Sequence, residues 1–219
     1  MHTTLTLLKK NRACKDRYRH LLKQLGGAKK YGYNTPIPLQ DLLEMNGLDD
    51  TLWALRAVSK EDADERDLLA RLFACDCAEH VLPFYENKYP EDKRVCLCIE
   101  ASRKFAYGQI TAQELTAAWE AAREARFAAV ALADAAAAVR AAAWAAARAA
   151  DAAAWDAWFP AAAWVAARAA AWAAAWDAWT PADAAAASLR AAADAARAAE
   201  IDWQAAALLK LLVTRKETT

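Results

Sequence analysis

Two cysteine pairs, Cys75-Asp76-Cys77 and Cys96-Leu97-Cys98, bracket His80 and offer the sulfur and nitrogen donors that a tetrahedral zinc site uses. Their spacing argues otherwise. Both pairs fall in stretches that read as helix, where residues i and i+2 point about 200° apart and cannot reach one ion. At most one cysteine of each pair could join His80 and Cys14, so the thiols read as small buried core groups, and no metal and no cofactor are expected. His2, His20 and His80 form no recognisable catalytic set, and the chain carries no Gly-x-Ser-x-Gly, His-Glu-x-x-His or phosphate-cradling glycine loop.

The second candidate constellation lies in the alanine-rich half. Ala141–Pro160 reads AAAWAAARAADAAAWDAWFP and Ala161–Pro181 reads AAAWVAARAAAWAAAWDAWTP, copies of 20 and 21 residues closing on Trp-x-Pro. Such a repeat predicts one helix per copy and a stack of similar helices. At about 100° per residue, Trp144, Asp151, Trp155 and Trp158 share a sector roughly 60° wide with Arg148 beside it. In the second copy Trp164, Arg168, Trp172, Trp176 and Trp179 form a stripe about 120° wide. Two roles compete for the arginines. They hold helices in register, stacked on indoles or paired with Asp151, or Arg148 and Arg168 line a Trp-walled cleft for a planar anionic ligand such as a nucleotide.

The elements that must position these groups are helical throughout. Helix formers dominate, β-branched residues are scarce, and five Gly with six Pro leave little material for sheet turns. The expected fold is all-α, a multi-helix array or bundle with an Ala/Trp-rich C-terminal stack of similar helices in tandem. A first helix from about Thr4 to Leu25 ends at Gly26-Gly27, and a loop follows. Pro38 opens a short helix that stops at Gly47, and Asp50 caps another. Ser59 with Asp62 suggests a capping box for a helix reaching Pro83, and a further helix begins near Glu91 and closes at Gly108. Thr111 with Glu114 is a capping box that opens the alanine tract. Breaks are expected near Asp134, at Phe159-Pro160 and at Thr180-Pro181. The domain reading is residues 1–110, a basic first helix and an acidic middle, then residues 111–219, the repeat region, packed with the first as one domain.

Charge is zoned although the total is zero. Residues 1–30 carry nine Lys/Arg against Asp16 alone, residues 41–100 carry fifteen acids against seven bases, and residues 101–219 carry twelve of each. Either the basic first helix packs beside the acidic middle, or it presents an electropositive face to an anionic ligand or acidic partner. Nucleic acid polymer is disfavoured, because no interleaved basic-aromatic groove accompanies the charge. No secretory leader is expected after the polar Met1 region, and Arg148, Asp151, Asp156, Arg168 and Asp177 interrupt any membrane span. With five cysteines, a reducing cytoplasm is the expected compartment.

Residues 52–111 supply a resemblance. CDCAEHVLPFYE at Cys75–Glu86, YPEDKR at Tyr89–Arg94, IEASRKFAYG at Ile99–Gly108 and the capped start at Thr111 precede a long Ala/Trp/Arg/Asp helix array. Together, and with Ala13-Cys14, they resemble the alanine-rich immunity proteins of bacteria and their phages (immunity-protein-five-like). The family pattern has Arg-Pro after the acidic residue, whereas here Arg94 is followed by Val95. The resemblance implies an all-helical, non-catalytic inhibitor that neutralises by binding. The first functional expectation is therefore sequestration of a protein toxin or effector. The alternative is an anti-defence protein, from a phage or a bacterium, that traps a small anionic nucleotide messenger. For that pocket the candidate residues are Arg94, Arg148, Arg168, Trp144, Trp164, Trp172 and His80. An enzyme is not expected, since no site assembles a base, a nucleophile and an oxyanion donor. Self-association stays open.

Overall fold

Helices make up most of the described residues, as the composition leads one to expect. The computed structural model describes residues 1–131, 168, 170–171 and 186–214. Among them the fold is all-α apart from one two-stranded ribbon. Helix α1 spans Leu5–Lys10, and the Thr4 side chain caps it by accepting from the Leu7 N–H at 3.1 Å. Helix α2 spans Lys15–Gln24.

The single helix expected from Thr4 to Leu25 is thus two. Arg12 takes a left-handed conformation, φ 62°. Its N–H donates to the Lys9 carbonyl at 3.1 Å and the Ala13 N–H to the Leu8 carbonyl at 3.0 Å. That is the two-bond helix terminator that glycine normally provides. A glycine does provide it at the end of α2, where Gly26 donates to Lys23 and Gly27 to Leu22.

The segment expected as loop contains a short helix, α3 at Ala28–Tyr31, before strand β2, Ile37–Pro38. Strand β1, His2–Thr3, pairs antiparallel with β2, His2 opposite Pro38 and Thr3 opposite Ile37. Buried Thr3 also bridges to Val58, and its hydroxyl donates to the Ala57 carbonyl at 2.6 Å. Helices α4 (Leu39–Asn46) and α5 (Leu48–Ala54) meet at Gly47, whose φ of 82° turns the chain. Pro38 stands just before α4, one place ahead of the position expected. Gly47, not Asp50, flanks the start of α5. Asp50 instead pairs with Arg17 at 2.6 Å, so one cation of the basic start does meet the acidic middle.

Helix α6 spans Ala63–His80 and begins later than the Ser59 cap implied. The Asp62 carboxylate is engaged by His2, whose backbone N–H lies 3.4 Å from it. Pro83 does not end α6 directly but sits in the first turn of a separate helix, α7 (Leu82–Glu86). Helix α8 is Arg94–Ala106, closed by Gly108 through the same terminator as α2. Helix α9 is Ala112–Ala131. Its capping box forms as the sequence predicts, with Thr111 N–H donating to Glu114 Oε2 at 2.8 Å and Glu114 N–H to Thr111 Oγ1 at 3.3 Å. Helix α10 is Ala186–Thr214. The expected breaks near Asp134, at Pro160 and at Pro181, and the tandem Trp repeat apart from Arg168, Ala170 and Ala171, lie outside the described residues.

The chain forms two compact units, Met1–Leu69 with Ala205–Thr219, and Ala70–Gln204. The first is cored by Leu5, Leu21, Ile37, Leu39, Leu42, Leu52 and Leu55. The second buries Phe73, Tyr85, Val95, Cys98, Leu115 and Ala122. A fully buried Leu or Phe contributes about 1.5–3 kcal/mol through the water it no longer meets, so these clusters fix the positions of the polar groups described next.

Candidate functional site

Around Glu200 helix α10 is flanked by runs of alanine, Ala198-Ala199 before it and Ala205–Ala207 after it. Glu200, Trp203 and Gln204 are spaced i, i+3, i+4 and so share one face. All three belong to the second unit, and that face meets the C-terminal end of α6. His80 Nε2 lies 3.0 Å from Glu200 Oε2. The imidazole stacks on the Trp203 indole with centroids 3.7 Å apart and planes 16° from parallel. Gln204 Nε2 donates to Glu200 Oε1 at 2.9 Å.

The Glu200 side chain is only 3% exposed, that of His80 36%. Burial pushes the Glu200 carboxyl up to about 7, against the opposing hydrogen bond from Gln204. Desolvation pulls the His80 imidazole down. A 3.0 Å contact suits either an ion pair or a neutral carboxyl–imidazole hydrogen bond. Both displacements favour the neutral form, in which the carboxyl O–H donates to Nε2. The pair can therefore exchange a proton with solvent near neutrality, through a histidine that solvent reaches.

Cys77, one helical turn before His80, is completely buried, and burial holds its thiol well above the usual range. Cys75 is likewise pushed up to about 12 by burial. Neither supplies a thiolate for nucleophilic chemistry at neutral pH. Among the described residues no group of three His, Cys, Asp or Glu could hold a metal ion.

Arg94, the first residue of α8, is clamped by Asp92. Its Nε reaches Asp92 Oδ1 at 2.9 Å and its terminal nitrogen Asp92 Oδ2 at 2.6 Å, a two-pronged carboxylate grip. The Arg94 backbone N–H donates to Oδ1 at 3.1 Å, so Asp92 also satisfies the first N–H of the helix. The Tyr85 hydroxyl donates to Oδ2 at 2.7 Å. Hydrogen bonds from Arg94 first, then Tyr85, hold the Asp92 carboxyl down at about 2. Arg94 is thus engaged within the protein. Arg103 is engaged the same way, by Asp76 at 2.8 Å and Glu79 at 2.6 Å, which ties α8 to α6.

Of the other candidates, Arg168 lies in a helical segment and is half-buried. Trp144, Arg148, Trp164 and Trp172 lie outside the described residues. His80 and Arg94 each have their own set of partners, and neither set includes the other. Glu200, Trp203 and Gln204 are not among the residues that spacing singles out; their one signal is three large side chains on one helix face between runs of alanine. Among the described residues no helix is long and apolar enough to cross a membrane. No protein-family model matches this chain, and neither comparison with curated proteins nor comparison with solved structures gives a match.

Proposed function

We propose that this is a non-catalytic binding protein that neutralises a protein toxin or effector by sequestering it, and that the basic start of the first unit is the face it uses. One observation carries the reading. All nine cations of residues 1–30, Lys9, Lys10, Arg12, Lys15, Arg17, Arg19, Lys23, Lys29 and Lys30, are exposed, with Arg17 paired to Asp50 and Arg19 to Asp16, the one acid of that segment. They stand on helices and turns that Leu5, Leu8 and Leu21 anchor in the core, so the positive field is presented on a fixed frame. Such a field attracts an acidic partner and speeds encounter, with a steep loss at high salt. The resemblance of residues 52–111 to the immunity proteins supports the same reading, and the compartment proposed is the cytoplasm.

The test is co-expression with a toxin encoded beside the gene, scored by growth and by co-elution of the purified pair. Lys9→Glu with Lys10→Glu and Lys15→Glu abolishes protection and co-elution while the melting temperature stays within a few degrees. Protection that survives the triple reversal sinks this face as the binding surface. The nucleotide alternative is tested in parallel by titrating cyclic and ADP-ribose-type nucleotides against tryptophan fluorescence. A saturable change lost in Arg168→Ala would favour it.

A further inference from the structure

The basic start of the first unit also helps to build a socket. Helices α2, α4 and α5 enclose a cavity of about 90 Å³ that opens to solvent. Its lining is mainly apolar, with buried Leu8, Leu21 and Leu42 beside the half-buried Trp53 indole. The charges in the lining, Arg17 and Asp50, cancel each other, Arg17 Nε donating to Asp50 Oδ2 at 2.6 Å.

The surroundings are positive. Arg12 and Lys15 flank the lining residues Ala13 and Cys14 in the chain, and the Arg56 guanidinium lies 5.4 Å from the centre of the Trp53 ring. All three are exposed, and none meets a carboxylate among the described residues. The neighbouring acids are Asp16, paired with Arg19, Asp50, paired with Arg17, and Asp49. By proportion with a 150 Å³ cavity that takes a benzene ring, the space encloses roughly four heavy atoms. A leucine side chain has that many, and the open mouth leaves room for the backbone that carries it. An apolar anchor seated in a pocket, with charged groups around it, is the arrangement that concentrates binding energy in protein interfaces.

We propose that this cavity is the socket for a leucine-sized aliphatic side chain on an acidic segment of the protein that the basic face binds. The side chain packs on Leu8, Leu21 and Leu42, while carboxylates on either side of it meet Arg12, Lys15 and Arg56. This rests on the reading of the basic face as a docking surface and adds its anchor: charge speeds the encounter, and the buried side chain slows release.

Three labelled peptides serve as probes, read by fluorescence anisotropy: a leucine between two runs of four glutamates, the same with alanine at the centre, and leucine between glutamines. At low salt the acidic leucine peptide should bind about ten- to fiftyfold more tightly than the alanine peptide, because three more carbons leave water. The glutamine peptide should bind at least about tenfold more weakly than the acidic leucine peptide, and both acidic peptides should weaken steeply as salt rises. Cys14 lines the cavity and is exposed, so N-ethylmaleimide can block the socket. Alkylation should erase the leucine preference and leave the alanine peptide's affinity within about twofold. Equal, salt-sensitive binding of both acidic peptides overturns the socket and leaves the basic face standing, whereas no binding by either overturns both. A glutamine peptide that binds as well as the acidic one overturns the acidic partner. Sedimentation of the protein alone tests the other occupant: a dimer that Cys14 alkylation disperses would give the socket to a second copy and overturn the proposal.

Discussion

Replacing Glu200 by Gln should stabilise the protein at pH 8 and do little at pH 5. The carboxyl is protonated in the fold below about 7, whereas an ordinary glutamate is protonated only below 4.5. From pH 4.5 upward folding must therefore take up a proton, and stability falls as pH rises until the loss is complete a little above 7. The span from 4.5 to about 7 corresponds to about 3 kcal/mol at full development. Glutamine copies the neutral carboxyl: its NH₂ donates to His80 Nε2 and its carbonyl accepts from Gln204. E200Q should thus gain up to about 3 kcal/mol at pH 8, or roughly 6–12 °C in melting temperature for a chain of this size. At pH 5 the gain should shrink below about 1 kcal/mol. His80 contributes with the opposite sign, because its lowered value makes the fold resist the proton that the unfolded imidazole accepts below 6.5; this is common to both proteins and cancels to first order. Thermal melts of both proteins from pH 5 to pH 8 decide the matter. A pH-independent difference, or a less stable E200Q at pH 8, would refute the neutral-pair reasoning.

Asp92→Ala should cost about 2–3 kcal/mol at pH 7 by stripping Arg94 and Tyr85 of their shared acceptor. Because the folded carboxyl sits at about 2, below the ordinary 3.8, its contribution is full above 3.8 and fades as pH drops towards 2, so denaturant melts of the two proteins should converge in acid. Arg12→Gly should stabilise by about 1 kcal/mol, since a left-handed residue with a Cβ is replaced by one without, and urea titration reads this directly. In the native protein a maleimide should modify Cys14 rapidly and leave Cys75, Cys77 and Cys98 untouched until denaturant is added, because those three are buried. Modification of Cys77 at the rate of Cys14 would contradict the packing of α6.

Punctuation explains which parts of the fold could be read in advance. Gly26-Gly27, Gly108 and the Thr111–Glu114 pair are local signals, each satisfying its own helix end, and the chain stops and starts where they stand. The break at Arg12 carries no such mark. Arginine is a good helix former, and only packing on both sides of the turn selects its left-handed conformation. Ser59 shows the reverse: a local cap signal is present, yet α6 begins at Ala63, and the Asp62 carboxylate meets His2, sixty residues away in sequence. The His80–Glu200 pair was beyond local reading for the same reason. His80 was visible as a candidate, but its partner lies 120 residues on, and no periodicity links α6 to α10. Arg94 was visible too; that its charge is spent on Asp92 depends on a turn geometry the residue types alone do not state.

The first unit is discontinuous, and this bears on how the protein is made. Met1–Leu69 emerges from the ribosome early, but its companion segment, Ala205–Thr219, follows only after the whole of Ala70–Gln204 has been synthesised. At 5–20 residues per second, that interval is roughly 7–27 s. During it the nascent amino-terminal part lacks the segment carrying Leu208 and Leu212, both buried in the finished protein. Completion of the first unit is thereby tied to synthesis of a segment that the 135 residues of Ala70–Gln204 separate from Leu69.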